Sequence, residues 1–263
     1  MQIPIVLVFA GNDPSGGAGL SADIQALASI GCHAAPVVTC VTVQDTCNVI
    51  DNFHLSGDQV IAQAEAVLSD MSIGVCKIGL LPSVEIIEAV EQVLLKYPQM
   101  TVVFDPVLAA GGGKSLVANP VYKNLLALTT VITPNSIEAR RLTNMDCLNL
   151  AAAQLLDYGC QSVCITGTHE DTDTVINTLY SKDEKPQSWQ WRRLAYSYHG
   201  SGCTFASSLA GFLAQGSDML EAVYKAQAYT WHSLDKGFHP GKGQALPNRL
   251  IHATLRNNRQ QSD

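Results

Sequence analysis

Short runs rich in β-branched and other apolar residues alternate along the chain with stretches whose apolar positions recur every three or four residues. The first run, Ile3-Pro4-Ile5-Val6-Leu7-Val8-Phe9-Ala10, reads as a strand ending at Ala10. A glycine-rich loop follows, then a helix whose apolar face carries Leu20, Ile24 and Leu27, with Gly31 placed to end it. Further strands are predicted over 35–41, 74–78, 101–104, 131–133 and 162–166. Helices are predicted between them over 58–68, 84–95, 135–142 and 151–156, the last closing near Gly159. Two more strands, 174–180 and 188–193, flank the polar turn 181–187, with Trp189 and Trp191 alternating along the second as packing residues. The C-terminal third reads as helices over 204–214, 219–235 and 246–255.

This order predicts an α/β fold with a mostly parallel central sheet and helices on both faces. No linker-like shift in composition and no internal repeat interrupts it, so the chain reads as one domain over 1–263. Its 47% hydrophobic content can fill a sizeable core. The apolar opening lacks a basic flank and runs into the glycine loop, as a strand does and a signal peptide does not. No apolar run reaches membrane-spanning length. The cysteines (Cys32, Cys40, Cys47, Cys76, Cys147, Cys160, Cys164 and Cys203) form no Cys-x-x-Cys pair. They read as reduced, mostly buried thiols, which predicts a cytoplasmic protein. A net charge of −7, a pI near 5.4 and the lack of any Lys/Arg cluster argue against a nucleic-acid partner. A small phosphate ligand held by backbone donors remains compatible with them.

Candidate chemistry concentrates in loops that follow strands, where α/β sheets collect ligands. His199-Gly200-Ser201-Gly202-Cys203-Thr204 leads directly into an apolar helical run. Backbone N–H groups at such a helix N-terminus make an anion site, and a cysteine there sits in a field that favours its thiolate. The plainer reading is a glycine loop capping a buried helix, with Cys203 as a small core residue. The loop Gly11-Asn12-Asp13-Pro14-Ser15-Gly16-Gly17-Ala18-Gly19 does not have the dinucleotide-binding spacing, but Asp13 and Asp23 are placed to orient a polar substrate. Gly113-Lys114-Ser115 imitates the end of a Walker motif, yet the glycine needed five positions earlier is Leu108, so it reads as a loop beside the site. Asp105-Pro106-Val107 and Thr133-Pro134-Asn135 with Glu138 present carboxylates after two neighbouring strands. Alone, Glu138 complements a helix dipole; with Asp105 it fits Mg²⁺, which needs few carboxylates. His169 and His199 are minor candidates.

Together these motifs closely resemble the hydroxymethylpyrimidine/phosphomethylpyrimidine kinases of thiamin biosynthesis, in the ribokinase-like superfamily. The likeness runs in order through the first glycine loop with Ala22-Asp23, Gln44-Asp45-Thr46, Lys77-Ile78-Gly79-Leu80, Asp105-Pro106-Val107, Thr133-Pro134-Asn135 with Glu138, and Gly200-Ser201-Gly202-Cys203-Thr204. It implies a ribokinase-like three-layer sandwich, ATP as phosphoryl donor and Mg²⁺ as cofactor. It further implies that Gln44 recognises the pyrimidine, with Gly11, Asp23, Leu80 and Val107 around the substrate. Gly200, Ser201 and Gly202 match the anion hole, Cys203 the general base, Asn135 and Thr166 the nucleotide site, and Glu138 with Asp105 the metal site. A homodimer or higher homo-oligomer is implied by the same analogy.

One departure stands out. Thr166-Gly167-Thr168-His169 occupies the place of the family's Lys-Gly-Gly-His, which removes a lysine facing the nucleotide phosphates. Lys114 is the candidate to replace its charge. Two other readings stay open: a pyridoxal/pyridoxine kinase, and a non-catalytic pyrimidine-binding sensor.

Overall fold

β1 (Ile5–Asn12) sends Leu7 and Phe9 into one apolar layer and Val6, Val8 and Ala10 into another, as the two-residue period of a strand requires. The computed structural model describes residues 3–108 and 122–251. After β1 come α1 (Gly19–Ser29), β2 (His33–Gln44), β3 (Val49–His54), α2 (Gly57–Asp70), β4 (Val75–Ile78) and α3 (Val84–Lys96). The middle of the chain forms β5 (Thr101–Phe104), α4 (Lys123–Ala127), β6 (Val131–Ile132), α5 (Ser136–Thr143) and α6 (Leu148–Asp157). β7 (Ser162–Thr166), β8 (Thr174–Ser181), β9 (Gln187–Arg192), α7 (Ser201–Ala214) and α8 (Met219–Asp235) complete it.

Among the described residues nine strands lie in one sheet, in the order β3-β2-β1-β4-β5-β6-β7-β8-β9. From β2 to β7 every neighbouring pair is parallel, while β3 at one edge and β8–β9 at the other pair antiparallel. Leu20, Leu27, Phe205, Leu209 and Val223 of α1, α7 and α8 cover one face. Val60, Ile86, Val90, Ala139 and Leu155 of α2, α3, α5 and α6 cover the other. Each fully buried aliphatic side chain in these layers contributes about 1.5–3 kcal/mol. The expected ribokinase-like sandwich of helix, parallel sheet and helix is the fold found.

Local signals explain most element ends. Ser56 and Gln59 form a reciprocal capping box at the start of α2, and Asn135 and Glu138 form another at α5. Gly31, at φ +87°, closes α1 as its position predicts. Four differences have physical causes. β2 continues to Gln44 and pairs with β3, whose sequence Val-Ile-Asp-Asn-Phe-His is too polar to signal a strand and is mostly exposed. Ile24 is 43% exposed, because the buried stripe of α1 runs through Leu20, Asp23 and Leu27. α7 starts at Ser201, three residues before the predicted position, since Gly200 takes the left-handed turn at φ +79°. The helix predicted over 246–255 is absent over 246–250, where Leu246 instead bridges to Phe238; 252–255 lie outside the described residues. None of the helices among the described residues is long and apolar enough to cross a membrane.

Candidate active site

The C-terminal ends of the parallel strands open into a cavity of about 530 Å³. Its floor is made where the two glycine loops meet. Asp13 organises the first: its carboxylate accepts from the backbone N–H of Ser15 at 2.8 Å and of Ala18 at 2.7 Å. The same carboxylate reaches across to His199 Nε2 at 2.9 Å, which ties the first loop to the turn that opens α7. Burial alone would raise the Asp13 carboxyl, but the hydrogen bonds from His199, Ser15 and Ala18 outweigh it and hold its pKa below the usual value. Contact between the loops is close enough that a side chain at Gly200 would collide with the Gly17 carbonyl.

The first helical bond of α7 runs from Thr204 N–H to the Gly200 carbonyl at 3.0 Å. The N–H groups of Ser201, Gly202 and Cys203 therefore precede the hydrogen-bonded ladder and are free to face an anion. All three residues and Gly200 line the cavity. Cys203 stands at the third position of α7, inside a helix predicted to start one residue after it, and the predicted thiolate does not follow. Burial pushes the thiol up to about 12; Lys77 pulls the other way, and Asp105 and Asp23 oppose it. Desolvation thus overrides the helix N-terminus.

Beneath Cys203 lies a buried charge cluster. Lys77 is wholly buried, and its Nζ sits 3.0 and 3.2 Å from the two oxygens of Asp23 and 4.0 Å from Asp105 Oδ2. Ser207 Oγ donates to Asp23 at 2.5 Å. Burial would lower the Lys77 pKa, but Asp23, Cys203 and Asp105 outweigh it and keep the ammonium charged. Asp23 itself is fully buried and does not line the cavity; it faces Lys77, not a substrate, contrary to the expectation from its motif. Lys77 takes the place in the wall, a role that its motif Lys77-Ile78-Gly79-Leu80 did not assign. The readable signal was a lysine inside the apolar strand Val-Cys-Lys-Ile.

Asp105 and Glu138 both reach the cavity from neighbouring strand ends. The Asp105 carboxyl is raised by burial and by Asp23, against the pull of Lys77, and its Oδ2 has no hydrogen-bond partner among the described residues. Glu138 caps α5, with Glu138 N–H to Asn135 Oδ1 and Asn135 N–H to Glu138 Oε2 both at 2.9 Å. Burial and the Asp105 charge push Glu138 up to about 8. Two mutually repelling carboxylates, one with an orphaned oxygen, fit a small divalent cation that keeps its waters and takes phosphate ligands. Among the described residues no third His, Cys, Asp or Glu joins them as a ready-made cage.

The cavity has two ends. At one, Gln44 Nε2 donates to Thr42 Oγ1 at 2.8 Å, and Gly11, Leu80 and Val107 complete the wall. At the other, Asn135 and Thr166 meet in a parallel bridge, and Thr166 N–H donates to the Pro134 carbonyl at 3.0 Å. His169 lines this end too. Trp191 is more than packing here: its Nε1–H donates to Gln227 Oε1 at 2.8 Å in the cavity wall, whereas Trp189 packs on the core. Lys114 lies outside the described residues.

A sequence model of the family described as phosphomethylpyrimidine kinase matches residues 13–248. The hydroxymethylpyrimidine/phosphomethylpyrimidine kinase of Haemophilus influenzae is 34% identical over 271 residues, covering 95% of this chain and 98% of that one. The thiamine biosynthesis bifunctional protein ThiED of Geobacter sulfurreducens is 33% identical over 257 residues; the match takes in 94% of this chain but 52% of that longer protein. Among solved structures, an ADP complex of Bacillus subtilis pyridoxal kinase superposes with a TM-score of 0.86 at 27% identity, covering 98% of this chain and 100% of the other. In sequence over nearly its whole length, and in fold, the chain belongs to the phosphomethylpyrimidine kinase family.

Proposed function

We propose that the chain transfers the γ-phosphoryl group of ATP to the primary hydroxyl of 4-amino-5-hydroxymethyl-2-methylpyrimidine, and then phosphorylates the monophosphate to the diphosphate. The observation that carries this reading is the anion site at residues 200–203, set between a cavity end holding Gln44 and one holding Asn135 and Thr166. With one Nε2 N–H given to Thr42, the Gln44 amide still offers its carbonyl oxygen and a second N–H to an aminopyrimidine edge. The exposed N–H groups of Ser201, Gly202 and Cys203 take the charge of the transferring phosphoryl, the largest share of catalysis in a loose transition state. Glu138 and Asp105 are the residues that would hold Mg²⁺, which supplies charge neutralisation on the phosphates when bound.

Cys203 accepts the hydroxyl proton. A thiol at about 12 leaves only about one part in 10⁵ ionised at pH 7, so the competent form is scarce and grows with pH. Thr166 stands where the family resemblance implies a lysine, and Lys114 is the residue proposed to bring charge back.

A second reading, pyridoxal or pyridoxine phosphorylation, draws on the similarity to the Bacillus subtilis pyridoxal kinase. Side-by-side kcat/KM for the pyrimidine alcohol and for pyridoxine decides between them. A higher value for the pyrimidine supports the first reading; a higher value for pyridoxine replaces it with the second.

A further inference from the structure

Arg249 was not singled out by any motif, yet it is the largest of the fully buried side chains and only 2% exposed. No carboxylate pairs with it among the described residues. A buried guanidinium with no carboxylate in contact is costly; the more distant charges of Asp23 and Asp13 offset part of that cost, and its hydrogen bonds supply the rest. Its backbone is fastened to α8: Tyr229 Oη donates to the Arg249 carbonyl at 2.7 Å, and Asn248 N–H to the Ser233 carbonyl at 2.8 Å. From that anchor the side chain reaches both glycine loops. Nε donates to Thr204 Oγ1 at 2.8 Å, Nη1 to the Gly16 carbonyl at 3.3 Å and Gln25 Oε1 at 3.4 Å. Nη2 donates to the carbonyls of Gly17 and Gly200, the latter at 3.5 Å. Five acceptors thus meet the five N–H bonds that a guanidinium offers.

Three of these acceptors are peptide carbonyls, and in a trans peptide the C=O and the following N–H point in opposite directions. The Gly200 carbonyl points into the protein, where Thr204 N–H and Oγ1 donate to it at 3.0 and 2.8 Å and Arg249 Nη2 adds a longer contact at 3.5 Å, so the Ser201 N–H points the other way, toward the cavity that Ser201 lines. Holding the Gly17 carbonyl sends the Ala18 N–H to Asp13, where it is found. One side chain therefore braces the peptide planes of both loops, together with Thr204 at Gly200.

We propose that Arg249 is the positioning residue of the anion site: it clamps the loops at Gly16–Gly17 and Gly200 together, aims the Ser201 N–H into the cavity, and places a buried positive charge behind the bound phosphoryl group. The proposal rests on the kinase reading and deepens it. Its charge lies behind the phosphate, so its effect falls on nucleotide binding and turnover and spares the pyrimidine end.

The test compares wild type with Arg249→Lys, which keeps the charge but cannot span both loops. Turnover of 4-amino-5-hydroxymethyl-2-methylpyrimidine with Mg-ATP is measured beside the Kd values for ADP and for the pyrimidine. The expected result is a kcat lower by about 10²-fold, the cost of a lost oxyanion donor. ADP binding weakens, and the Kd for the pyrimidine moves by less than about threefold, as for a residue that acts on the transferring group alone. An unchanged kcat, or equal losses at both ends of the cavity, overturns the proposal. No turnover by wild type defeats the kinase reading instead, and the clamp is then judged on ADP binding alone. If Arg249→Lys does not fold, Arg249→Ala is refolded with millimolar guanidinium. Recovery of turnover that depends on guanidinium supports the clamp, and recovery without it, or no turnover from the refolded protein with guanidinium present, counts against it.

Discussion

Cys203 shows how burial decides between two opposed fields. The helix N-terminus and Lys77 draw its proton off, while desolvation and the carboxylates of Asp105 and Asp23 keep it on, and the thiol stands at about 12. Rate should therefore climb with pH through neutrality, with no plateau near the ordinary thiol pKa of about 8.5. A plateau there would show a thiol that burial does not shift, and one at lower pH an activated thiolate. Cys203→Ala should lower kcat by about 10²–10⁴-fold, the usual share of general-base catalysis, with ADP still bound. Lys77 is held for structure and charge together. Lys77→Met strands Asp23 in the core and should cost about 3–5 kcal/mol in urea unfolding; a loss under about 1 kcal/mol would mean that the pair is solvated. Contiguous signals such as the Gly-Ser-Gly-Cys turn were legible from residues alone. The partnership of Lys77 with Asp23, 54 positions apart, was not, because only the sheet brings them together.

At the scale of elements, strands buried on both faces, the β8–β9 pair and helices with clear caps were readable, and the polar edge strand β3 and the irregular C-terminal piece were not. β5 and β7 fall where their β-rich runs predict, whereas β3 is a polar edge strand that exists only because β2 offers it a partner. The segment 246–250 has helical periodicity but is claimed by the bridge to Phe238 and by the buried Arg249. The capping glutamate of α5 also faces the cavity. Glu138 ionises near 8 in the folded protein and near 4.5 unfolded, so the native state holds the extra proton between those values. Its contribution to stability is complete below pH 4.5 and is lost as pH rises through about 8. Glu138→Gln retains an acceptor for the Asn135 N–H and should flatten this part of the Tm–pH curve while lowering turnover. Parallel Tm–pH curves for the two proteins would remove Glu138 as the source.

Across the whole molecule, the parallel sheet brings six strand ends to one side, and the two glycine loops, 186 residues apart at Asp13 and His199, close on each other there. The order of motifs made that convergence legible, because ligand sites of such sheets gather at the carboxyl ends of their strands. What stayed hidden was the support: the Lys77 cluster below Cys203 and the Arg249 clamp behind Gly200, both built from contacts distant in sequence. The central claim, a kinase acting twice on one pyrimidine, is tested most directly by incubating the protein with Mg-ATP and 4-amino-5-hydroxymethyl-2-methylpyrimidine and following products by mass spectrometry. The account predicts the monophosphate first and the diphosphate after it. Neither product from the alcohol, and no diphosphate when the monophosphate is supplied, would contradict it.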